Sequence, residues 1–478
     1  MIKENKKILI IFFGKILQLA IAFLTIRVAT LSLEPKEMGN YYLFMSVAGF
    51  YGYVFINPIG QYIARHIYEW YEEKKIINIF LLTNIYLILV SFLSLFITYF
   101  LYKLGFGNDI ELIYFILFIS LFIYFFALNQ IIIPIMNILG RYLAFSFFTI
   151  LTQLAMMFFS VYFVNYFEST GKIWFFGQIL GYGIVSIIAL LFFLMKIQSN
   201  FDKKYIYNVI KIDKFRNVIN FVFPLSIGVA FLWMQVQSYA IIIDKYVGAE
   251  FLGYFGVGIS LAFAISSAIE SIVTQYFQSI VYKNINDNVK FKLIMNSIIK
   301  LIIPIYLFLA IFISLFSINF MSILVDESYY NSYVYVVFGM WIAFFRMSAN
   351  TFANIAHAKL NTKKLLIPYA VPGILSMIGV YMATQYANYN YFIPIALLVA
   401  SVIGFFVMFY KMNKLVKIRL DFEILFLFIF CSIPFLSAIY FYQLANILKY
   451  NLIILLFFGI YFLTVTFIFI KRRGFHIE

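Results

Sequence analysis

The chain is 478 residues long, 64% hydrophobic and only 12% charged, with a formal net charge of +15. That is about half the charge share of a soluble domain, which excludes a water-bounded core and makes lipid the solvent. A positive balance of this size would suggest nucleic acid in a soluble protein; here the placement of the cations excludes it.

A helix needs roughly 20 apolar residues to cross a bilayer core about 30 Å thick. Spans are predicted at 8–30, 41–66, 76–101, 112–138, 142–165, 173–195, 217–243, 251–280, 294–317, 331–357, 365–387, 391–410, 422–443 and 450–470. That makes fourteen, or 13 or 12 if the last pair is misread. The first follows a basic Met1–Lys7 flank, yet it is too long for a signal peptide and carries Lys15, Gln18 and Arg27, so it reads as a retained span. Of the 35 Lys and Arg, 26 fall at the two termini and in alternate gaps, and only Lys36, Lys103, Lys172, Lys245 and Lys449 fall in the opposite gaps. The positive-inside rule then places both termini in the cytoplasm.

The longest inner gap, from Lys196 to Arg216, reads as an amphipathic linker attracted to anionic headgroups. Shifting the chain by 214 residues places Gly39 on Gly253, Ala48 on Ala262, Gln61-Tyr62 on Gln275-Tyr276 and Tyr68 on Tyr282. A shift of 217 places Asn137-Ile138 on Asn354-Ile355. The expected organisation is an N-lobe (1–200), the linker (201–216), a C-lobe (217–418) and a final helix pair with a basic tail (419–478). The fold class is an all-α polytopic membrane protein: two pseudo-symmetric six-helix lobes in parallel repeat around a central cavity, plus two helices.

Enzyme signatures fail. Neither Gly14-Lys15 nor Gly171-Lys172 completes a phosphate-binding loop, and His66, His357 and His476 form no metal pair. Cys431 is the only cysteine, which leaves no internal disulfide. Glu34 and Glu37 flank Pro35-Lys36 and read as a solvated loop rather than a metal site. No catalytic residue, metal or cofactor is expected.

Charges inside spans carry the functional signal, because each costs about 2.5–3.5 kcal/mol at a helix centre unless it meets water or a partner. The cations are Lys15, Arg27, Lys300 and Arg346, against one deep acid, Glu270. Lys15, Lys300 and Arg27 lie close enough to a span end to snorkel; Arg346 lies near mid-span. Arg346, Asn350, Asn354 and His357 wind onto one helical face within about 40°. A guanidinium with amides beneath it suits an oxyanion, while an interhelical hydrogen-bond seam is the alternative. Glu270 shares a face with Ser267, Ser271, Thr274 and Gln278. It is either a counter-ion to Arg346, Lys300 or Arg27, or a site for a coupling proton or sodium ion. In the first half, Gln130, Pro134, Asn137 and Arg141 nearly repeat the spacing of the Arg346 face, and the mid-helix Pro134 suits a gating helix. The Gly177-x-x-x-Gly181 pair predicts close helix packing.

Asn5, Gly14-Lys15, Arg27 and then Glu37-Met-Gly-Asn-Tyr41 resemble the opening of the oligosaccharide or O-antigen flippases of the multidrug/oligosaccharidyl-lipid/polysaccharide (MOP) exporter superfamily. Asn137-Ile-Leu-Gly-Arg141 is a second point of resemblance. The resemblance implies movement of an undecaprenyl-pyrophosphate-linked sugar unit across the bacterial cytoplasmic membrane by alternating access, without ATP. It implies Lys15 and Arg27 as substrate-binding cations, to which the in-span charge adds Lys300 and the helical-face argument adds Arg346, Asn350 and Asn354. Glu270 is expected in coupling or as counter-ion, and Pro134 and Arg141 in gating. Expected partners are the lipid-linked glycan, the bilayer and other polysaccharide assembly proteins, with the chain itself a monomer. The sequence distinctive of the lipid II flippase after span 1 is not evident, and the drug-exporting branch usually lacks so cationic an interior. A small-molecule antiporter of the same superfamily remains the alternative; a membrane glycan polymerase would need a large outer loop.

Overall fold

The computed structural model describes residues 2–197, 199–203, 205–206, 212–283, 287–359, 361–441 and 448–472. Part of the expected linker, the Gln278 side chain and the end of the basic tail lie outside the described residues. The described structure is all-helical, 89% helix and without strands. Thirteen of its helices are long and apolar enough to cross a membrane. By compactness the chain divides into unit one, Met1–Gly253, and unit two, Tyr254–Glu478.

Unit one begins with α1 (Ile2–Ser32) and α2 (Pro35–Tyr51), then a π-helical turn at Gly52–Ile56 that runs on into α3 (Asn57–Glu72). It continues with α4 (Ile76–Lys103), α5 (Leu112–Ile138), α6 (Tyr142–Tyr166), α7 (Gly171–Lys196), α8 (Ile212–Val236) and α9 (Ser238–Tyr246). The first turn of α10 (Ala249–Lys283) closes the unit. α4 shows how such helices are specified for lipid. Ser94 and Thr98 are buried with Leu87 and Val90, while Phe92, Phe96 and Phe100 point outward at i, i+4 and i+8. Polar groups therefore face neighbouring helices and apolar ones face acyl chains, the reverse of a water-soluble helix.

Inside unit one, small and polar residues make the seams. A β-carbon at Gly177 would overlap the backbone of Ser160, and one at Gly181 that of Met156, so the expected close packing is the α6–α7 contact. Ser91 Oγ donates to Ser120 O over 2.7 Å between α4 and α5, and Asn129 donates to Thr152 over 3.1 Å between α5 and α6. Phe44, Phe122 and Phe175 stack at the centre. On the α3–α4 turn, Lys75 pairs with Asp202 at 2.6 Å, and the Asn78 amide bonds both Asn200 O and the Asp202 N–H. The start of the linker is thereby strapped to this turn.

Unit two holds the rest of α10, α11 (Asn288–Leu315), α12 (Ser317–Leu324), α13 (Tyr333–Ala358), α14 (Leu366–Ala383), α15 (Tyr389–Asn413), α16 (Phe422–Cys431), α17 (Ala438–Phe441) and α18 (Leu448–Arg472). The expected span 422–443 is not one continuous helix. α16 ends at Cys431, and a 3-10 turn at Ile433–Ser437 follows. Pro434 lacks an N–H and its ring obstructs the preceding turn, so α-helical bonding cannot run through it. These last elements pack on α11 through Phe308, Phe312, Phe316, Phe435, Phe458 and Phe462. Asn319 donates to Asn451 at 2.7 Å, fastening α12 to α18.

Candidate translocation site

Span 2 is not a uniform helix. In the π turn the Asn57 N–H reaches back five residues to Gly52 O, and Pro58 follows with no N–H to give. Such turns insert one residue into the helical path and re-aim the side chains around them. Here they border a cavity of about 520 Å³ lined by α2, the π turn, α3, α5 and the α8–α9 junction. Its polar groups are Tyr53, Asn57, Gln61, Gln130 and Gln237, and among the described residues no Lys, Arg, Asp or Glu lines it. Gln61 donates to Asn57 across one helical turn at 2.7 Å. Gln130 and Pro134 are both exposed to the cavity although they sit in an otherwise apolar helix.

The expected cations lie elsewhere. Lys15 is half-buried on α1. Arg27, about three turns beyond Lys15, has a buried Nη1 with no hydrogen-bond partner among the described residues. Arg141 stands at the start of α6, where its Nη2 donates to Lys196 O at 2.8 Å and so caps the end of α7. Gly140 before it adopts φ +79°, the left-handed turn that ends α5.

In unit two, Arg346 on α13 places its guanidinium carbon 4.2 Å from the ring centre of Phe263 on α10. One helical turn on, Asn350 donates to Glu270 Oε1 at 2.8 Å. Tyr306 of α11 and Tyr369 of α14 lie within electrostatic reach of Glu270. Asn354 is half-buried on the same helix, and His357 is exposed near its end. Among the described residues neither Arg27 nor Arg346 has a carboxylate within 4.0 Å; the recorded partner of Glu270 is an amide. Lys300, by contrast, pairs with Asp421 at 3.3 Å, and Asp421 caps the start of α16. The structure thus brings Arg346, Asn350 and Glu270 together and sets Lys300 apart with its own acid.

The Glu37–Tyr41 segment proves to be a packing device. The Glu37 carboxylate accepts the Gly171 N–H at 2.8 Å, holding the first turn of α7, so the expected solvated loop is a fixed helix-to-helix contact. Tyr41 receives a hydrogen bond from Gln178 at 2.9 Å. Sequence reasoning passed over Tyr53, Asn57 and Gln237 in unit one and Tyr306 and Tyr369 in unit two. The available signal was Asn57-Pro58 interrupting an apolar run beside three glycines.

No family model matches the sequence, and no curated protein matches it significantly. Solved structures do. A structure of the lipid II flippase MurJ in an inward closed conformation superposes with a TM-score of 0.69 at 15% identity, covering 98% of this chain and 99% of that one. An inward-facing multidrug resistance MATE family transporter gives 0.60 at 13%, covering 83% and 94%. A MOP superfamily transporter from Pyrococcus furiosus, whose binding pocket is described as reversed in polarity, gives 0.56 at 13%, covering 86% and 96%. These neighbours are transporters rather than enzymes. The chain is a multi-pass membrane protein with the fold of the MOP-superfamily transporters MurJ and MATE.

Proposed function

We propose that the protein is a flippase that moves an undecaprenyl-pyrophosphate-linked oligosaccharide, an O-antigen or related repeat unit, across the bacterial cytoplasmic membrane by alternating access. One observation carries the reading: Arg27 and Arg346 sit in apolar spans with no carboxylate partner among the described residues. A guanidinium held in such surroundings is destabilised until an anion arrives, and its planar donors match a phosphate oxygen pair. Stacking on Phe263 holds the Arg346 fork without consuming its donors. Asn350 and Asn354 extend the Arg346 face, and Lys15 adds a further cation nearer the start of α1. Pro134 lies inside α5, and Arg141 follows the left-handed Gly140 turn between α5 and α6, where a gating helix would flex. Both termini are taken as cytoplasmic from the cation pattern.

Glu270 with Asn350, Tyr306 and Tyr369 favours coupling to a proton or sodium gradient, and it also supports the second reading, a small-molecule cation antiporter. Reconstituted proteoliposomes separate the two. Lipid-linked oligosaccharide reaching the outer leaflet, read by lectin access, should be slowed roughly ten- to a hundredfold by Arg27→Ala or Arg346→Ala. Unchanged lectin access in both variants, with cationic dye accumulating in everted vesicles, would transfer the assignment to the antiporter.

A further inference from the structure

We propose that the cavity of unit one is a sugar subsite, a pocket that takes the glycan of the cargo through uncharged hydrogen bonds while its pyrophosphate is held elsewhere. The inference rests on the flippase reading and adds a division of labour to it. The volume, about 520 Å³, falls within the range of about 300–1,000 Å³ usual for small-molecule sites. Its chemistry is selective. With no Lys or Arg on the wall among the described residues, a diphosphate entering it would lose hydration and gain no counter-charge. With no Asp or Glu, a cationic drug fares equally badly. Carboxamides suit hydroxyl and acetamido groups, because each offers donors and acceptors at once, as a sugar does.

Gln130 is the clearest sign of a ligand. It is exposed to the cavity from within an apolar span, and no hydrogen bond to its amide is recorded among the described residues. An amide at that depth needs water or a polar guest. Facing it, the side chains of Asn57 and Gln61 bond only each other in the described structure, leaving further donors and acceptors open. Tyr53 and Phe126 supply ring faces for the apolar side of a pyranose. Backbone features make the room: the π turn re-aims α3, and a β-carbon added at Gly60 would meet nothing within 4 Å.

Gly60 also gives the cleanest test. Gly60→Leu should project a bulky apolar group into the cavity from a position where the first added carbon meets nothing within 4 Å, with improved helix propensity. Gln130→Leu removes the amide instead. The full-length protein is reconstituted with undecaprenyl pyrophosphate, either bare or carrying one N-acetylglucosamine. Bare lipid reaching the outer leaflet is read by added phosphatase, and the glycosylated form by lectin. Each variant is expected to slow the sugar-bearing lipid about tenfold while leaving the bare lipid within about twofold of wild type. Arg346→Ala should slow both. Equal slowing of the two lipids by Gly60→Leu and Gln130→Leu, or no slowing of the glycosylated one, overturns the subsite. A wild-type protein that moves neither lipid overturns the flippase reading itself, a different result.

Discussion

Gly39 of α2 and Gly253 of α10 dock reciprocally. A β-carbon on Gly39 would overlap the carbonyl oxygen of Ala249, and one on Gly253 the carbonyl oxygen of Pro35. Each glycine thus rests on the carbonyl four residues before the other. The shift of 214 residues that relates the glycines also relates Pro35 to Ala249. The two helix starts are pseudo-symmetry mates that meet face to face, with all four residues in unit one. Neither position can take an alanine unless the backbones separate. Gly39→Ala and Gly253→Ala should each destabilise the protein by about 3 kcal/mol or more, read as a large drop in thermal midpoint in detergent. A midpoint unchanged in either variant would show that the helices do not approach this closely.

Glu37 sits at the start of α7, where unpaired N–H groups and the helix dipole favour a negative charge. Glu37→Gln keeps an acceptor but removes the charge, and should cost about 0.5–1 kcal/mol; Glu37→Ala should cost about twice that. Thermal midpoints of the pair give the ratio. Equal losses would mean that the charge contributes nothing beyond the bond.

Asp244, at the end of α9, accepts the Gly107 N–H at 3.1 Å. Burial pushes its carboxyl up to about 6; the Gly107 bond acts in the opposite sense, and the nearby Asp109 adds to the rise. Asp109 is itself paired with Lys36 at 3.0 Å. A carboxyl whose folded value lies above its unfolded one binds protons more tightly when folded. Stability should therefore fall as pH rises from about 4 to about 6 and level off above that, by something on the order of 2–3 kcal/mol. In Asp244→Asn this fall should vanish. Thermal midpoints at pH 5 and pH 7.5 test it; a pH dependence that survives in the variant assigns it to another group.

Glu270→Gln preserves a partner for Asn350 while abolishing the charge. If Glu270 couples transport to an ion gradient, proteoliposomes of this variant should translocate at the same rate with and without an imposed proton or sodium gradient, while wild type responds several-fold. An intact gradient response in Glu270→Gln would leave the residue a purely local hydrogen-bond partner.

The spans were legible because lipid imposes one demand, some 20 apolar residues, on every crossing segment. Local chemistry could be read too: Gly177 and Gly181 announced a close crossing. Gln61 entered the sequence argument only as a repeat match, and its role in the cavity stayed hidden. Whether an amide in an apolar helix meets a neighbour, as Asn129 meets Thr152, or an open space, as Gln130 does, depends on what packs opposite. The same is true of charge. Lys300 and Arg346 are both cations inside apolar spans, yet Asp421, 121 residues from Lys300, reaches only one of them.

Residue order alone determined that this is a many-span membrane protein, with its cations segregated to alternate gaps, since hydropathy and charge act segment by segment and need no neighbour to be felt. Tertiary structure decided which polar groups are satisfied and which stand open. Satisfaction is a property of pairs: Glu37 became a helix clamp rather than a loop acid because Gly171 has no side chain to hold the helices apart.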